Sequence, residues 1–426
     1  MERKDLVATL FLKNGEAVTN FDDVSPLGEA SDIAKLYNDS GIDKIFIFDL
    51  SETIKEKEAT LHKIKELNRI FEIPVYGAGN ITRLSEIQAL IFAGCTKVIL
   101  DSSNPEFIRF TQEGVKRFGI DKLTLSLAKV DVLFKQKDLM EATFDEIIVI
   151  NDEIVDAVCN LTDLPFTPLL ASTSTSDYVD ALNLPTVKGV GGLLLNDLKT
   201  DVMILKNELI RCGLPMNRFA STLKWEEFNH DSDGLIAVIA QDYSTSEVLT
   251  FGYMNEQAFN DTMELGKMTY YNPRTGEVDL KGEASEQFQY VKSLTVDCHK
   301  KALLAKISQI GVSCHTGNYS CFFQEIVRKD YQEKNTFKVF ENLYNVIRNR
   351  KKNPKEGSYT NYLYEMGMDE ILKKLGEEAT QLIIESKNND VEGIRTDITN
   401  LIYHLMVLMT EQDLRWEDIT SELIQR

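Results

Sequence analysis

Three short apolar runs decide the fold of the first part of this chain: DKIFIFDL (Asp43–Leu50), IPVYGAG (Ile73–Gly79) and TKVILDSS (Thr96–Ser103). A charged, helix-like stretch at residues 52–71 and a second helix-like stretch at 84–93 separate them. Uninterrupted apolar runs are typical of strands that are buried on both faces of a parallel sheet. The alternation therefore predicts βα units.

Five more apolar runs extend this pattern through residues 1–212. They are LVATLFL (Leu6–Leu12), KLTLSLA (Lys122–Ala128), EIIVI (Glu146–Ile150), TPLLAS (Thr167–Ser172) and VKGVGGLLL (Val187–Leu195). Eight strands in βα units predict a (β/α)8-like barrel. A doubly wound open sheet is the competing interpretation.

The rest of the chain has two other patterns. From residue 235 to 323, strands alternate with turns, including a hairpin turn at Arg274–Gly276, which predicts an α+β domain with an antiparallel sheet. From Phe337 onward, apolar residues recur at helical spacing and predict an all-α helical bundle that completes its core by dimerising. We therefore expect three domains, at residues 1–212, 213–330 and 331–426.

Composition limits the class of protein. The 426 residues include 47 Lys and Arg against 67 Asp and Glu, a formal net charge of −20. Such a charge argues against a protein that coats nucleic acid or an anionic membrane. No apolar run approaches the roughly 18–20 residues of a membrane span. Six cysteines are too few for a disulfide framework, so a reducing cytoplasm is expected.

Three of the cysteines lie close together, at Cys298, Cys314 and Cys321. Three thiolates suit Zn²⁺ and leave its fourth position open for a water molecule, as in catalytic zinc sites. Zinc lowers the pKa of that water to about 7, and His315, beside Cys314, is a candidate general base. Spacing alone leaves open the alternative of three free thiols.

The same region carries recognisable motifs: KGEASEQFQYV (Lys281–Val291), VDCHKKALL (Val296–Leu304) and QIGVSCHTGNYSCFF (Gln309–Phe323). They resemble phosphoribosyl-AMP cyclohydrolase over roughly residues 220–325. The resemblance implies zinc at the three cysteines, with ligands from two subunits, and therefore a homodimer. It also implies a substrate pocket that is lined by Lys281, Glu283 and Ser285.

One motif departs from that family. The family's three aspartates, which are associated with Mg²⁺, fall here on Asp297, His299 and Lys301. Mg²⁺ prefers hard oxygen ligands, and the ammonium of Lys301 repels a cation. Two hypotheses follow: the magnesium site is lost, or the lysine charge replaces the cation near the substrate phosphate.

Two helical segments carry polar residues at meaningful spacing: GEEATQLIIESK (Gly376–Lys387) and TDITNLIYHL (Thr396–Leu405). Glu377 and Glu378 share a face with Gln381. The polar residues of the second segment are Asp397, Asn400 and His404. Two facing helices can hold such groups around one Mg²⁺. The alternative is a solvated helix face.

The segments SYTNYL (Ser358–Leu363), KKLGEEA (Lys373–Ala379) and DITNLIYHLMVLM (Asp397–Met409) resemble phosphoribosyl-ATP pyrophosphohydrolase over roughly residues 335–426. The resemblance implies that Glu377, Glu378 and Asp397 are catalytic. That family has Glu, Glu and Asp where this chain has Gln381, Asp397 and Asn400. An amide oxygen ligates a cation without charge, so we expect weakened Mg²⁺ binding and reduced or absent hydrolase activity. Lys373 and Lys374 are candidate phosphate-binding cations in an otherwise acidic chain.

The segments GIDKIFIFDLSE (Gly41–Glu52), IPVYGAGNIT (Ile73–Thr82) and GCTKVILDSSNPEFI (Gly94–Ile108) resemble the cyclase subunit of imidazole glycerol phosphate synthase and its isomerase relative. Those enzymes have an aspartate on strand one, where this chain has Phe11. Without an acid–base pair, proton transfer has no carrier. We interpret the barrel as non-catalytic, serving as a scaffold or an oligomerisation module.

Together these resemblances predict a fused hydrolase of histidine biosynthesis that acts on phosphoribosyl-ATP and phosphoribosyl-AMP. It would release pyrophosphate from the first and open the adenine ring of the second. The substitutions at His299, Lys301, Phe11, Gln381 and Asn400 motivate an alternative from another class: an impaired paralogue that binds the nucleotide or acts as a scaffold.

Overall fold

The computed structural model describes residues 3–312, 314, 316–327, 329, 336–388 and 390–424. The chain divides into two compact units, at residues 1–325 and 326–426. The first unit contains two separate sheets, and the described part of the second unit is helical.

The first sheet has ten strands, eight of which form a closed parallel barrel. They are β1 (Asp5–Lys13), β2 (Glu16–Val18), β3 (Pro26–Gly28), β4 (Lys44–Asp49), β5 (Val75–Ala78), β6 (Lys97–Asp101), β7 (Leu123–Leu127), β8 (Ile147–Val149), β9 (Phe166–Leu170) and β10 (Gly189–Gly192). The parallel strands are β1 and β4 to β10, and β10 pairs with β1 to close the ring. The predicted barrel is confirmed, and this closing pair excludes the open sheet.

Nine helices accompany these strands within the described residues. They are α1 (Ala30–Asp39), α2 (Ile54–Leu67), α3 (Leu84–Phe92), α4 (Phe107–Phe118), α5 (Val130–Thr143), α6 (Val155–Leu161), α7 (Thr175–Asn183), α8 (Leu193–Asn196) and α9 (Val202–Arg211). Alternate residues of each strand face the helices or the barrel interior. In β1, Leu6 and Leu10 belong to the core under the helices, whereas Val7 and Phe11 belong to the cluster that fills the barrel.

Aromatic rings occupy the barrel position at which the related enzymes carry an aspartate. The ring centroid of Phe11 lies 4.7 Å from that of Phe21 and 5.6 Å from that of Phe48. Phe21 belongs to the loop between β2 and β3, so this loop contributes a ring against the β1 and β4 strands. An ionised carboxylate at residue 11 would lie among apolar rings, which is costly without a partner.

The second sheet has six strands, and one helix lies between its second and third strands in the chain. They are β11 (Ile236–Asp242), β12 (Val248–Met254), α10 (Glu256–Leu265), β13 (Thr269–Asn272), β14 (Glu277–Leu280), β15 (Gln289–Val296) and β16 (Ala302–Gln309). The strand order is β14-β13-β12-β11-β16-β15. The predicted hairpin turn lies between β13 and β14. The sheet is mixed, because β11 and β16 run parallel while the other neighbours are antiparallel.

The second unit has five helices in its described residues: α11 (Thr336–Lys352), α12 (Tyr359–Met366), α13 (Met368–Asn388), α14 (Val391–Glu411) and α15 (Trp416–Ile424). A small apolar core includes Tyr344, Ile347, Leu363, Met406 and Val407. The gap between α13 and α14 is only two residues, so the two long helices form an antiparallel hairpin. Within the described residues, no helix is both long and apolar enough to span a membrane.

Candidate functional sites

The loop that follows β16 carries two of the three clustered cysteines and folds back onto the sheet. The backbone amide of Cys321 donates to the carbonyl oxygen of Leu249 at 2.8 Å. The hydroxyl of Ser320 donates to the carbonyl oxygen of Val248 at 2.7 Å. These two bonds fix the end of the loop along β12. Cys314 is buried and Cys321 is exposed.

A series of hydrogen bonds between buried side chains connects this loop to the sheet. Tyr270 donates its hydroxyl to Gln289 at 2.8 Å, and the side-chain amide of Gln289 donates to that of Gln309 at 2.9 Å. Gln309 then donates to the carbonyl oxygens of Gly311 and Tyr319, at 3.3 and 3.2 Å. Both glutamines are buried. The sequence analysis did not predict this network. Its sequence signal was a glutamine at the end of each of two apolar strand segments.

A carboxylate holds the loop from the other side. The hydroxyl of Tyr319 donates to Asp242 at 2.7 Å, and the hydroxyl of Ser244 and the amide of Thr245 donate to the other carboxylate oxygen at 2.6 and 2.8 Å. Burial raises the pKa of Asp242, but these hydrogen bonds outweigh burial and leave the pKa below its ordinary value. Asp242 therefore stays ionised and ties the β11–β12 turn to the cysteine loop.

The surroundings of Cys314 favour its thiolate. Its sulfur lies 3.0 Å from the hydroxyl oxygen of Thr316. Hydrogen bonds from the hydroxyl and the amide of Thr316 lower the pKa of the Cys314 thiol, and Cys321 and the charge of Lys281 act in the same direction. Cys314, Cys321 and Lys281 are thus brought together. A thiolate is the form in which cysteine ligates a metal.

The other predicted pocket residues lie in the turn between β14 and β15. Glu283 and Ser285 are exposed there, next to Lys281. Gly282 in this turn has φ +95°, and an added Cβ would lie 2.4 Å from the carbonyl oxygen of Gln287, so glycine is required. The side chain of Gln287 in turn contacts Gly311 in the cysteine loop.

Cys298 lies apart from the other two cysteines. It is in the turn between β15 and β16, whereas Cys314 follows the far end of β16. A strand of this length spans about 23 Å at roughly 3.3 Å per residue. Accordingly, among the described residues no three His, Cys, Asp or Glu side chains of one chain converge on a metal position. The predicted general base His315 lies outside the described residues.

Asp297 stabilises the β15–β16 turn. Its carboxylate accepts hydrogen bonds from the amides of His299, Lys301 and Ala302, at 3.1, 2.6 and 2.8 Å. The bonds from Ala302 and Lys301 lower the pKa of Asp297 most. The side chains of His299 and Lys301 differ in charge from the aspartates expected there, and Lys301 is exposed. The magnesium assignment of Asp297 and His299 stays a prediction.

On α13, the predicted catalytic residue Glu377 is exposed and Glu378 is half-buried. Lys374 lies 2.7 Å and Lys373 3.9 Å from Glu377, and the hydrogen bond from Lys374 is the main cause that lowers the pKa of Glu377. The side-chain amide of Gln381 donates to Glu385 at 3.0 Å along the same helix. The two predicted phosphate-binding lysines are therefore beside the carboxylates.

On α14, Asp397 is buried, and its oxygen Oδ2 has no hydrogen-bond partner among the described residues. His404 is also buried. Its Nδ1 lies 2.9 Å from the carbonyl oxygen of Asn400, and its Nε2 lies 3.2 Å from the hydroxyl of Tyr359. Glu377 is close enough to His404 for the imidazole to lower the pKa of Glu377. The sequence analysis did not single out Tyr359, although this residue lies in the SYTNYL segment that carries the resemblance.

The donor set on α13 and α14 fits a divalent cation. A buried carboxylate oxygen without a hydrogen-bond donor is costly unless a cation neutralises it. Mg²⁺ binds through one or two protein carboxylates plus substrate phosphates. The unpartnered oxygen of Asp397 is the candidate ligand on α14, and Glu377, with Lys374 at 2.7 Å, is the candidate on α13.

Three family profiles match this chain. Residues 250–323 match the profile described as phosphoribosyl-AMP cyclohydrolase. Residues 340–426 match that of phosphoribosyl-ATP pyrophosphohydrolase. Residues 5–151 match that of a histidine biosynthesis protein. The three matches fall on the second sheet, the helical unit and the barrel.

Curated relatives are similar over about half of the chain. A histidine biosynthesis bifunctional protein HisIE from Thermoanaerobacter pseudethanolicus is 44% identical over 211 residues, which are 46% of this chain and 97% of that protein. The protein of the same name from Bacillus subtilis is 40% identical, over 47% of this chain and 95% of its own length. The one from Pyrococcus furiosus is 36% identical, over 50% and 99%.

Proposed function

Because this chain belongs to the family of histidine biosynthesis bifunctional proteins HisIE, we propose that it catalyses two successive hydrolytic steps of that pathway. Its helical unit releases pyrophosphate from phosphoribosyl-ATP. Its second sheet domain then hydrolyses the adenine ring of the resulting phosphoribosyl-AMP. The observation that carries the proposal is the rigidly held loop of Cys314 and Cys321, whose thiol chemistry suits a catalytic zinc ion.

We propose that zinc binds Cys314 and Cys321 of one subunit and Cys298 of a second copy. The separation of Cys298 from the other two cysteines along β16 supports this division, since three thiols complete a catalytic zinc site. When bound, zinc supplies an activated water at a pH near 7. Ring opening would add water at a ring carbon and break the adjacent carbon–nitrogen bond, and the ring nitrogen would take up the proton.

The chain's own residues orient the substrate and the loop. Lys281 places a positive charge beside the cysteine loop, where it can bind the substrate phosphate. Gln289, Gln309 and Asp242 hold the loop in place and exclude alternative loop geometries. His315 remains the proposed general base. Six free thiols in the described structure suit a reducing cytoplasm.

Turnover of phosphoribosyl-AMP together with the zinc content of the dialysed homodimer tests the cyclohydrolase proposal. We expect one zinc per subunit and loss of turnover on chelation, with recovery when zinc is added back. A mixed dimer of Cys298→Ser and Cys314→Ser chains should retain one intact site. A chain that keeps zinc and binds the nucleotide but never opens the ring would instead be the impaired paralogue.

In the helical unit, we propose a pyrophosphohydrolase site that is weakened relative to its relatives. Glu377 and Asp397 hold Mg²⁺, Lys373 and Lys374 bind phosphate oxygens, and His404 orients Tyr359 beside them. The amides at Gln381 and Asn400 remove two negative charges at nearly constant shape, which weakens cation binding. Exposed Ile383, Ile384 and Val391 on the same hairpin support a second copy covering this face.

The double variant Gln381→Glu/Asn400→Asp tests this second site. Restoring both charges should lower the Mg²⁺ concentration for half-maximal pyrophosphate release about tenfold or more. Gln257→Glu, a similar change on α10 outside the helical unit, is the matched control. Equal magnesium dependence and equal rates in the native chain and the double variant would contradict the proposed weakening.

A further inference from the structure

A partly buried ion cluster joins the barrel to the second sheet within the first unit. The ammonium of Lys292 on β15 lies 2.8 Å from Asp39 at the end of α1 and 2.7 Å from Glu72 after α2. It also lies 5.0 Å from the ring centroid of Tyr243. The side chain of Asp39 is only 2% exposed, and that of Lys292 is 18% exposed. Water screens the Lys292–Asp39 pair only weakly, whereas the Glu72 side chain is 46% exposed and its attraction to Lys292 is screened more.

An extra residue in β15 directs Lys292 toward the barrel. Val291 pairs with Ile307 and Ser293 pairs with Lys306, so Lys292 has no partner in the ladder. This is a β-bulge, which re-aims a side chain. Burial lowers the pKa of Lys292, but the charges of Asp39 and Glu72 outweigh burial and raise it above the ordinary value. The lysine is therefore charged, and the cluster is an ion pair at neutral pH.

The neighbouring strand makes a second contact to the same carboxylate. The hydroxyl of Ser308 on β16 donates to the other oxygen of Asp39 at 2.7 Å, and Ser308 is 3% exposed. Consecutive strand residues point to opposite faces. Ser308 therefore faces the barrel, while Gln309 faces the cysteine loop and donates to Gly311 and Tyr319.

A second ion pair also connects the barrel with the second sheet domain, at residues distant in sequence from this cluster. Lys267, just after α10, lies 2.5 Å from Asp201 at the start of α9 and 4.6 Å from the ring centroid of Phe288. Asn207 on α9 donates to the carbonyl oxygen of Glu264 at 2.9 Å. The barrel therefore contacts the second sheet domain at two places, through β15 and β16 at Asp39 and through the end of α10 at Asp201 and Asn207.

We infer that the barrel serves as a positioning domain for the cyclohydrolase site, and that Asp39, Lys292 and Ser308 are its positioning residues. Asp39 of the barrel holds β15 and β16 on one face, and the glutamines of the same strands hold the Cys314 loop on the other. This inference rests on the proposed cyclohydrolase function. Turnover by the native chain tests that function by itself, before any variant is compared.

The test uses Lys292→Met and Asp39→Asn in the full chain, with kcat and KM for phosphoribosyl-AMP measured separately. We expect kcat to fall about tenfold in each, because small misplacements of catalytic groups are costly, while KM changes less than about twofold. Lys292→Arg, which keeps the charge, should recover most of the lost kcat. The pyrophosphate-releasing activity of the same chain should be unchanged. This activity serves as an internal control for the concentration of folded protein.

Lys57→Met is the matched control. Lys57 on α2 pairs with Glu86 on α3 at 3.3 Å, with side chains 20% and 22% exposed, so its loss weakens the barrel domain without touching the second sheet. We expect native kcat in this variant. The rate at which a thiol reagent labels Cys314 and Cys321 after chelation should rise in Lys292→Met and stay native in Lys57→Met.

If Lys292→Met or Asp39→Asn does not fold, Ser308→Ala carries the test, since it removes one hydroxyl. A threefold or so decrease in kcat is expected there, from a single lost hydrogen bond to a charged group. Native kcat and native labelling in Ser308→Ala and in every folded variant, with only a lower melting temperature, would overturn the inference and leave the barrel as a passive stabiliser.

Discussion

The cysteine loop of the second sheet and the carboxylates of the α13–α14 hairpin are built in opposite ways. In the first, the candidate ligands sit on a loop, and a network of buried hydrogen bonds through Gln289, Gln309 and Asp242 fixes that loop. In the second, helix geometry spaces the groups, and an oxygen of the buried Asp397 has no hydrogen-bond partner in the described part of the chain.

This difference determines what substitutions do. A site on a braced loop depends on residues that never touch substrate, so a shape-preserving change of a supporting amide is damaging. A site on two helices keeps its spacing when a carboxylate becomes an amide, and only the charge is lost. The chain's departures at Gln381 and Asn400 are of the second, tolerable kind.

The largest expected effect is on the loop site. Cys314→Ser should reduce cyclohydrolase turnover roughly a thousandfold, since several kcal/mol of transition-state stabilisation are lost and each 1.4 kcal/mol is a factor of ten. Steady-state assays of both activities check this. Pyrophosphate release should remain native, and so should both activities of Cys212→Ser, whose thiol is exposed elsewhere. Loss of both activities in Cys314→Ser would contradict the view that the two sites are built independently.

On the hairpin, Asp397→Leu should lower pyrophosphate release about a hundredfold while stabilising the helices. One oxygen of the native carboxylate is buried and has no partner among the residues that the structure describes, and its removal should recover about 1–3 kcal/mol in the absence of magnesium. Hydrogen exchange of α13 and α14 in chelator measures this gain. Asp369→Leu, which changes an exposed carboxylate of the first turn of α13, should give no such protection.

The supporting network gives a smaller effect on the loop site. Gln309→Leu leaves the carbonyl oxygens of Gly311 and Tyr319 without their donor, and we expect kcat to fall about 10- to 100-fold, as for groups that orient metal ligands. Gln241→Leu, which removes an amide that bonds Ser246 within its own hairpin, is the control. A native kcat in Gln309→Leu would show that the loop needs no such support.

The smallest effect is on acid stability. Because the pKa of Asp242 is lower in the folded chain than its ordinary value of 3.8, its stabilising contribution is complete above that value and is lost as the pH falls below it. Asp242→Asn should therefore be about 1 kcal/mol less stable than the native chain at pH 7, with a smaller difference near pH 3. Urea unfolding at the two pH values measures this, and a difference that grows in acid would contradict it.

Sequence patterns predicted the barrel well, because eight apolar runs are local signals and a parallel sheet buries every one of them. The second sheet was predicted as antiparallel, and the parallel β11–β16 pair was missed. That pair joins segments separated by four other strands, and no local periodicity encodes such a long-range choice.

In the candidate sites, too, sequence patterns predicted local features but not the long-range placement of residues. Residue type and spacing predicted metal sites at Cys314, Cys321, Glu377 and Asp397, since chemistry limits which side chains bind metal, and these assignments stay predictions. What sequence spacing did not reveal is that Cys298 lies a strand's length away from Cys314, or that Lys292 meets Asp39, 253 residues earlier in the chain. Both depend on how folded elements are placed in space.

The bulge at Lys292 has a genetic consequence. A single unpaired residue in β15 corresponds to one codon, and its deletion would bring Val291 and Ser293 into an uninterrupted ladder with Ile307 and Lys306. The strand would keep its alternation and its glutamine, but the barrel would lose its ionic partner. The deletion of one codon in frame therefore separates a strand that an ion pair ties to the barrel from one that lacks this tie.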